Sequence, residues 1–184
     1  MFNFFSDNYK HEFKVAIVDD DKLALKKIET ILLELIHREA EIKLKRKLKV
    51  VVYKLNDIQS LFEYLNNGVS FHLIITDVLC DKLGYEAGIL VFNNLLLLIQ
   101  NNRFDNRSNR LLSTIVLVNS DFVRASMKDM VNKNIMIIDK ANLDDKDLLF
   151  VQKKSRSSAF HIDAKRAIDR SLETYIEVLE KNEK

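Results

Sequence analysis

Five times along this chain a short β-branched run ends in polar or charged residues and gives way to an apolar pattern of helical period. The first run is Lys14 to Val18, stopped by Asp19, Asp20 and Asp21. It is followed by Ala24, Ile28, Ile31, Leu32, Leu35 and Ile36 at steps of three and four. From Ile42 to Leu48 apolar residues alternate with lysines before Val50 to Val52, which predicts a second strand at a sheet edge. Ile58 to Leu65 predicts a helix ended by Asn66, Asn67 and Gly68, and Phe71 to Thr76 a third strand running into Asp77. Gly88 to Asn101, Thr114 to Val118, Asp121 to Asn132, Ile135 to Ile138 and Leu143 to Val151 continue the alternation. Parallel strands are joined by right-handed helical crossovers, so this order predicts an α/β fold: a doubly wound, five-stranded parallel sheet with helices on both faces.

Composition agrees with a packed domain. The chain has 184 residues, 47% of them hydrophobic and 30% charged, with a net charge of +2, a balance that excludes a disordered tail and a collagen-like rod. One cysteine, Cys80, excludes an internal disulfide and a cysteine-based zinc site. Residues 1–13 mix phenylalanines with Asp7, Lys10, His11 and Glu12 and are expected to form a short leader, not a secretory signal. The longest apolar stretch, Gly88 to Ile99, is broken by Asn93 and Asn94 and is too short to span a bilayer. A cytoplasmic protein with no membrane partner is expected.

Open parallel sheets bind ligands at the carboxyl ends of their strands. Those ends carry Asp19 and Asp20, Tyr53 and Lys54, Asp77, Asn119 and Ser120, and Lys140. Three carboxylates gathered at one edge repel each other, and a hard divalent cation with oxygen ligands relieves that repulsion. Mg²⁺ is the expected cofactor. Acids, a metal, a lysine and a hydroxyl together suit phosphoryl transfer, in which a carboxylate can itself be the nucleophile. Singly, Asp20 or Asp21 could instead cap the first helix, and Ser120 the fourth.

Four segments, Val18-Asp19-Asp20, Leu73 to Asp77, Ile115 to Ser120 and Ile138-Asp139-Lys140, resemble the strand ends of response-regulator receiver domains of two-component signalling. The resemblance is to the chemotaxis type in divergent form and covers Lys14 to about Lys154. It implies the flavodoxin-like strand order 2-1-3-4-5, with Asp77 as phosphoacceptor and Asp19, Asp20, Asp77 and the backbone carbonyl of Leu79 holding Mg²⁺. Lys140 would contact the phosphoryl group. Asn119 stands where the family has Ser or Thr, so that Ser120 follows one residue late. Ala141 replaces the family's proline after Lys140, and Ile137 its aromatic residue.

The implied function is a stand-alone receiver that accepts a phosphoryl group from a histidine kinase or phosphotransfer protein and signals through a downstream protein partner. It is a switch, not an enzyme acting on another substrate. The departures motivate an alternative, a pseudo-receiver acting as a phosphorylation-independent interaction or dimerisation module. Lys43, Lys45, Arg46, Lys47 and Lys49 are expected to guard a solvated strand edge, with no nucleic-acid binding. Cys80 and the four histidines, His11, His37, His72 and His161, are expected to have no role.

Residues 14–154 form the expected receiver-like domain, with 155–184 an extra helical extension. A helix from Phe160 to Lys181 carries Phe160, Ala164, Ile168, Leu172, Tyr175, Ile176 and Leu179 on one face. That stripe requires a cover, either its own domain or a second copy of the chain in a homodimer.

Overall fold

The computed structural model describes residues 12–45, 48–77, 94, 113–118, 135–139 and 159–182. In chain order its elements are β1 (Glu12–Val18), α1 (Lys22–Leu44), β2 (Lys49–Leu55), α2 (Ile58–Asn66), β3 (Leu73–Asp77), β4 (Ser113–Val118), β5 (Ile135–Asp139) and α3 (Ala159–Asn182). The strands run in the order β2-β1-β3-β4-β5, and every pairing is parallel. β1 lies between β2 and β3, with Val15 in register with Val52 on one side and Leu73 on the other.

Alternation along the strands sorts the core onto two faces. Phe13, Val15 and Ile17 of β1 and Leu73 and Ile75 of β3 join Ile28, Ile31, Leu32, Leu35 and Ile36 of α1 in one buried cluster. Ala164, Ala167, Ile168, Leu172, Tyr175 and Leu179 of α3 belong to that same cluster, so α1 and α3 cover one face together. Ala16, Val18 and Ile74 turn the other way, the side covered by the buried Ile58, Leu61 and Leu65 of α2. Both faces of the sheet thus carry helices. Among the described residues no helix is long and apolar enough to cross a membrane.

Helix ends follow the local chemistry. Asp21 caps α1 by accepting from the Leu23 N–H at 2.8 Å, and Asp57 caps α2 by accepting from the Ser60 N–H at 2.6 Å. Lys45 closes α1 in the left-handed region (φ 52°), its N–H bonded to the Glu41 carbonyl.

Three boundaries differ from the sequence reading. β1 starts at Glu12, inside the stretch assigned to a leader, because Glu12 pairs in register with Lys49 and its carboxylate accepts from the Lys49 ammonium at 2.6 Å. Ile42 to Leu44 close α1 and are not strand. Their period of two was outweighed by helical packing, since Leu44 rests on the core and Lys43 reaches Glu173 and Asp169 of α3. The edge strand begins at Lys49, and its place at the sheet edge is as expected. Of the C-terminal stripe, for which two covers were open, Ala164, Ile168, Leu172, Tyr175 and Leu179 are buried within the chain. Ile176 is only half-buried, and Ile162 and Val178 lie outside the covered face. α3 is therefore part of the sheet's cover, not an appendage to it.

Polar contacts fix how α3 lies on α1. Lys165 donates to the buried Glu39 at 3.1 Å and to Asp169 at 3.0 Å, while Lys43 donates to Glu173 at 2.8 Å. The hydrogen bond to Asp169 raises the Lys165 pKa, and that to Glu173 raises the Lys43 pKa. Glu39 meets Lys165 and Lys43 meets Asp169 and Glu173, so the two helices run in the same direction. At the opposite side of the cluster His72 bridges β1 and α3. Its Nδ1 accepts from the Lys14 N–H at 2.9 Å, its backbone N–H donates to the Lys14 carbonyl at 2.8 Å, and its ring lies 5.0 Å from Phe13 and 4.9 Å from Tyr175.

Two measurements check this packing. Leu172→Ala empties a fully buried position between α3 and the sheet and should cost about 2 to 5 kcal/mol in denaturant unfolding. Burial, aided by the nearby Lys14 charge, lowers the His72 pKa from 6.5 to about 4. The unfolded chain therefore binds the extra proton first, and stability should fall as pH drops from about 6.5 towards 4, by about 3 kcal/mol in total. His72→Gln should show a shallower pH dependence of unfolding over that window.

Candidate functional site

The parallel register builds the site. β1 and β3 align Val18 with Thr76, so the next residues, Asp19 and Asp77, stand side by side at the carboxyl edge of the sheet. The Asp19 N–H donates to the Leu55 carbonyl at 3.1 Å, extending the β1–β2 ladder one residue past the strand. One Asp19 carboxylate oxygen accepts from the Asp21 N–H at 2.9 Å, which turns the chain from β1 into α1. Asp77 is the last residue of β3, and the Thr76 hydroxyl donates to its carbonyl at 3.2 Å.

Asp19, Asp20 and Asp77 each bring a carboxylate oxygen to within 4.8 Å of the others. Asp19 is 0% and Asp77 2% exposed, whereas Asp20 is open to solvent. The choice left open by the sequence, between Asp20 and Asp21 as helix cap, falls to Asp21, which leaves Asp20 with the cluster. An all-oxygen donor set with two buried carboxylates and one facing water fits Mg²⁺, which takes one or two carboxylates and keeps several waters. The site thus has the donor chemistry and the water access that a magnesium ion requires.

Leu79, Asn119, Ser120 and Lys140 lie outside the described residues, as do Cys80, Ile137's side chain, the expected helix at 88–101 apart from Asn94, and those at 121–132 and 143–151. Asn119 and Lys140 are the residues that follow β4 and β5 in sequence. The structure therefore brings together three of the seven expected site residues and describes no position for the other four.

The sequence reading missed two working groups elsewhere. His72 was given no role and holds β1 to α3, while Glu39 was one of several helix carboxylates and is buried against Lys165. Neither has a sequence signal, because Lys165 lies 126 residues from Glu39 and Tyr175 more than a hundred from His72. The basic run also behaves differently from the expected solvated edge. Lys43 is bound to α3 and Lys49 to Glu12, so two of its five charges are neutralised within the chain.

No family model matches this chain, and no curated protein matches it. Solved structures do resemble it. One is described as the yeast Spc42 trimeric coiled coil fused to another structure, with a TM-score of 0.50 and 16% identity over 95% of this chain and 98% of that one. Another is the signal receiver domain of an HD domain-containing protein from Pseudomonas fluorescens Pf-5, with a TM-score of 0.44 and 14% identity over 78% and 94% of the two chains. A third is a response regulator receiver protein from Pseudomonas putida, with a TM-score of 0.41 and 21% identity over 79% and 98%.

The fold is a doubly wound α/β fold with parallel strands in the order β2-β1-β3-β4-β5. The acids at the ends of β1 and β3 stand at the carboxyl edge of that sheet, where folds of this class bind ligands. The comparisons do not show the expected chemotaxis type.

A cation that binds the folded acids and not the unfolded chain stabilises the fold by mass action. Added Mg²⁺ should raise the thermal unfolding midpoint of the wild-type chain, and Asp19→Asn should abolish most of that rise. An equal rise in both proteins would place the ion elsewhere.

Proposed function

We propose that this chain is a receiver-type signalling switch that takes a phosphoryl group on Asp77 and passes the signal by altered binding to a protein partner. The observation that carries the proposal is the gathering of Asp19, Asp20 and Asp77 oxygens within 4.8 Å at the carboxyl edge of a parallel sheet. Clustered acids at this edge of an α/β sheet are where ligands of such folds bind.

In this reading a carboxylate oxygen of Asp77 attacks the phosphorus of a phosphodonor. A new oxygen–phosphorus bond forms as the bond to the donor's leaving group breaks, and that group departs with the bonding electrons. The product is an acyl phosphate on Asp77, which water can later cleave to restore the carboxylate and release phosphate. Asp19 and Asp20, with Asp77 and the Leu79 carbonyl, would hold Mg²⁺, which supplies charge neutralisation of the phosphoryl oxygens when bound. Burial of Asp19 and Asp77 keeps the two acids in place and limits competing water, while the exposed Asp20 leaves a path for a donor.

Lys140 would pair with the phosphoryl group, and Ser120 or Asn119 would read its presence from the end of β4. A histidine kinase or phosphotransfer protein as donor and a downstream protein partner complete the proposal. The chain acts as a switch whose chemistry is confined to its own phosphorylation and dephosphorylation.

Intact-protein mass spectrometry with phosphoramidate or acetyl phosphate tests this. One phosphoryl adduct should appear with Mg²⁺, disappear without it, and be absent from Asp77→Asn. No adduct on a folded sample would favour the pseudo-receiver, an interaction module that works without phosphorylation.

A further inference from the structure

We propose that β2 is a self-recognition edge, through which two copies of this chain join their sheets across a two-fold axis. The proposal is independent of phosphorylation at Asp77 and uses a different surface.

β2 is the last strand on its side of the sheet, and its seven residues, Lys49 to Leu55, are mostly apolar and half-buried. The direction of its backbone groups follows from one bond. The Asp19 N–H reaches the Leu55 carbonyl, so the Leu55 polar groups face β1. Alternation turns those of Lys49, Val51 and Tyr53 the same way and those of Val50, Val52 and Lys54 outward. Among the described residues no strand takes these outward groups.

Natural edge strands are usually guarded by free lysines, whose hydration and repulsion discourage pairing. Here both lysines of β2 are drawn back into their own chain. Lys49 donates to Glu12 at 2.6 Å and Lys54 to Glu29 of α1 at 2.8 Å. The edge between them, Val50 to Tyr53, carries no charge.

An antiparallel second copy fits this edge in one register that pairs all seven residues, with Val52 on the two-fold axis. Val50 then faces Lys54 of the second copy and Val52 faces Val52, and each of these outward pairs can exchange two backbone hydrogen bonds. Val51 faces Tyr53 of the second copy, a β-branched and aromatic pairing that favours sheets. Lys49 faces Leu55, so no two like charges are opposed. The aromatic group of Tyr53, Tyr64 and Phe71, with ring centroids 5.2 to 6.4 Å apart, would continue across the junction on the α2 side, where Tyr64 is now 37% exposed. Such an interface is isologous and closed, and forms dimers, not fibres.

The experiment uses the full chain. Sedimentation should show a concentration-dependent dimer of twice the monomer mass. In a Cys80→Ser background, Val52→Cys should form a covalent dimer under mild oxidation, because bonded antiparallel partners lie about 5.5 Å apart at Cα, within the span of a disulfide. Val50→Cys should not, since its copies would lie several residues apart. Val50→Pro removes an N–H that no described strand accepts and should give a monomer with unchanged circular dichroism. A chain that remains monomeric at every concentration, or a dimer that survives Val50→Pro and leaves Val52→Cys uncrosslinked, would overturn the proposal. In the second case the dimer would use another surface, such as the outer face of α3.

Discussion

The parallel register of β1 with both of its neighbours is the constraint on which the rest depends. Pairing Val15 with Val52 and with Leu73 fixes which β1 residues face α1 and which face α2. The same register places Asp19 level with Asp77 and ties its backbone to Leu55. A slip of one residue would turn Phe13, Val15 and Ile17 out of the core and separate the two acids. Core packing and the acidic site therefore depend on a single alignment, and whatever stabilises the core also positions the carboxylates.

The helical cover secures that alignment from one side. α1 and α3 bury one continuous cluster against β1 and β3, and their shared ladder of Glu39, Lys165, Asp169, Lys43 and Glu173 sets how they lie on each other. Burial supplies most of the stabilisation, while half-exposed ion pairs add little energy and mainly select one arrangement. His72 does similar work at the far side, joining the start of β1 to Tyr175 of α3 through a hydrogen bond and two ring contacts. Its burial as a neutral ring makes this corner sensitive to acid.

Much of this was legible in the chain. The run Lys14 to Val18 and the run into Asp77 read as strands because β-branched residues cluster there and stop at acids. The stripe from Ala164 to Leu179 read as an amphipathic helix because its apolar residues recur at three and four. The boundary at Ile42 to Leu44 was misread, since Ile-Lys-Leu-Lys satisfies a period of two as well as the end of a helix. What decided between them was Lys43 meeting Asp169 and Glu173, partners far away in sequence. Asp19, Asp20 and Asp77 could be named as candidates from their strand-end positions, but not which of Asp20 and Asp21 would cap α1.

Local sequence pattern was enough to specify the α/β class and the acids that end the first and third strands. These follow from local periodicity and from residue types, which act over a few neighbours along the chain. Contacts across the fold were needed to decide that α3 covers its own sheet and lies parallel to α1, that Glu39 is buried and His72 half-buried, and that three carboxylates share one small volume. Those outcomes depend on contacts between residues tens to more than a hundred positions apart, where hydrophobic burial and charge pairing choose among folds that local pattern leaves equally acceptable.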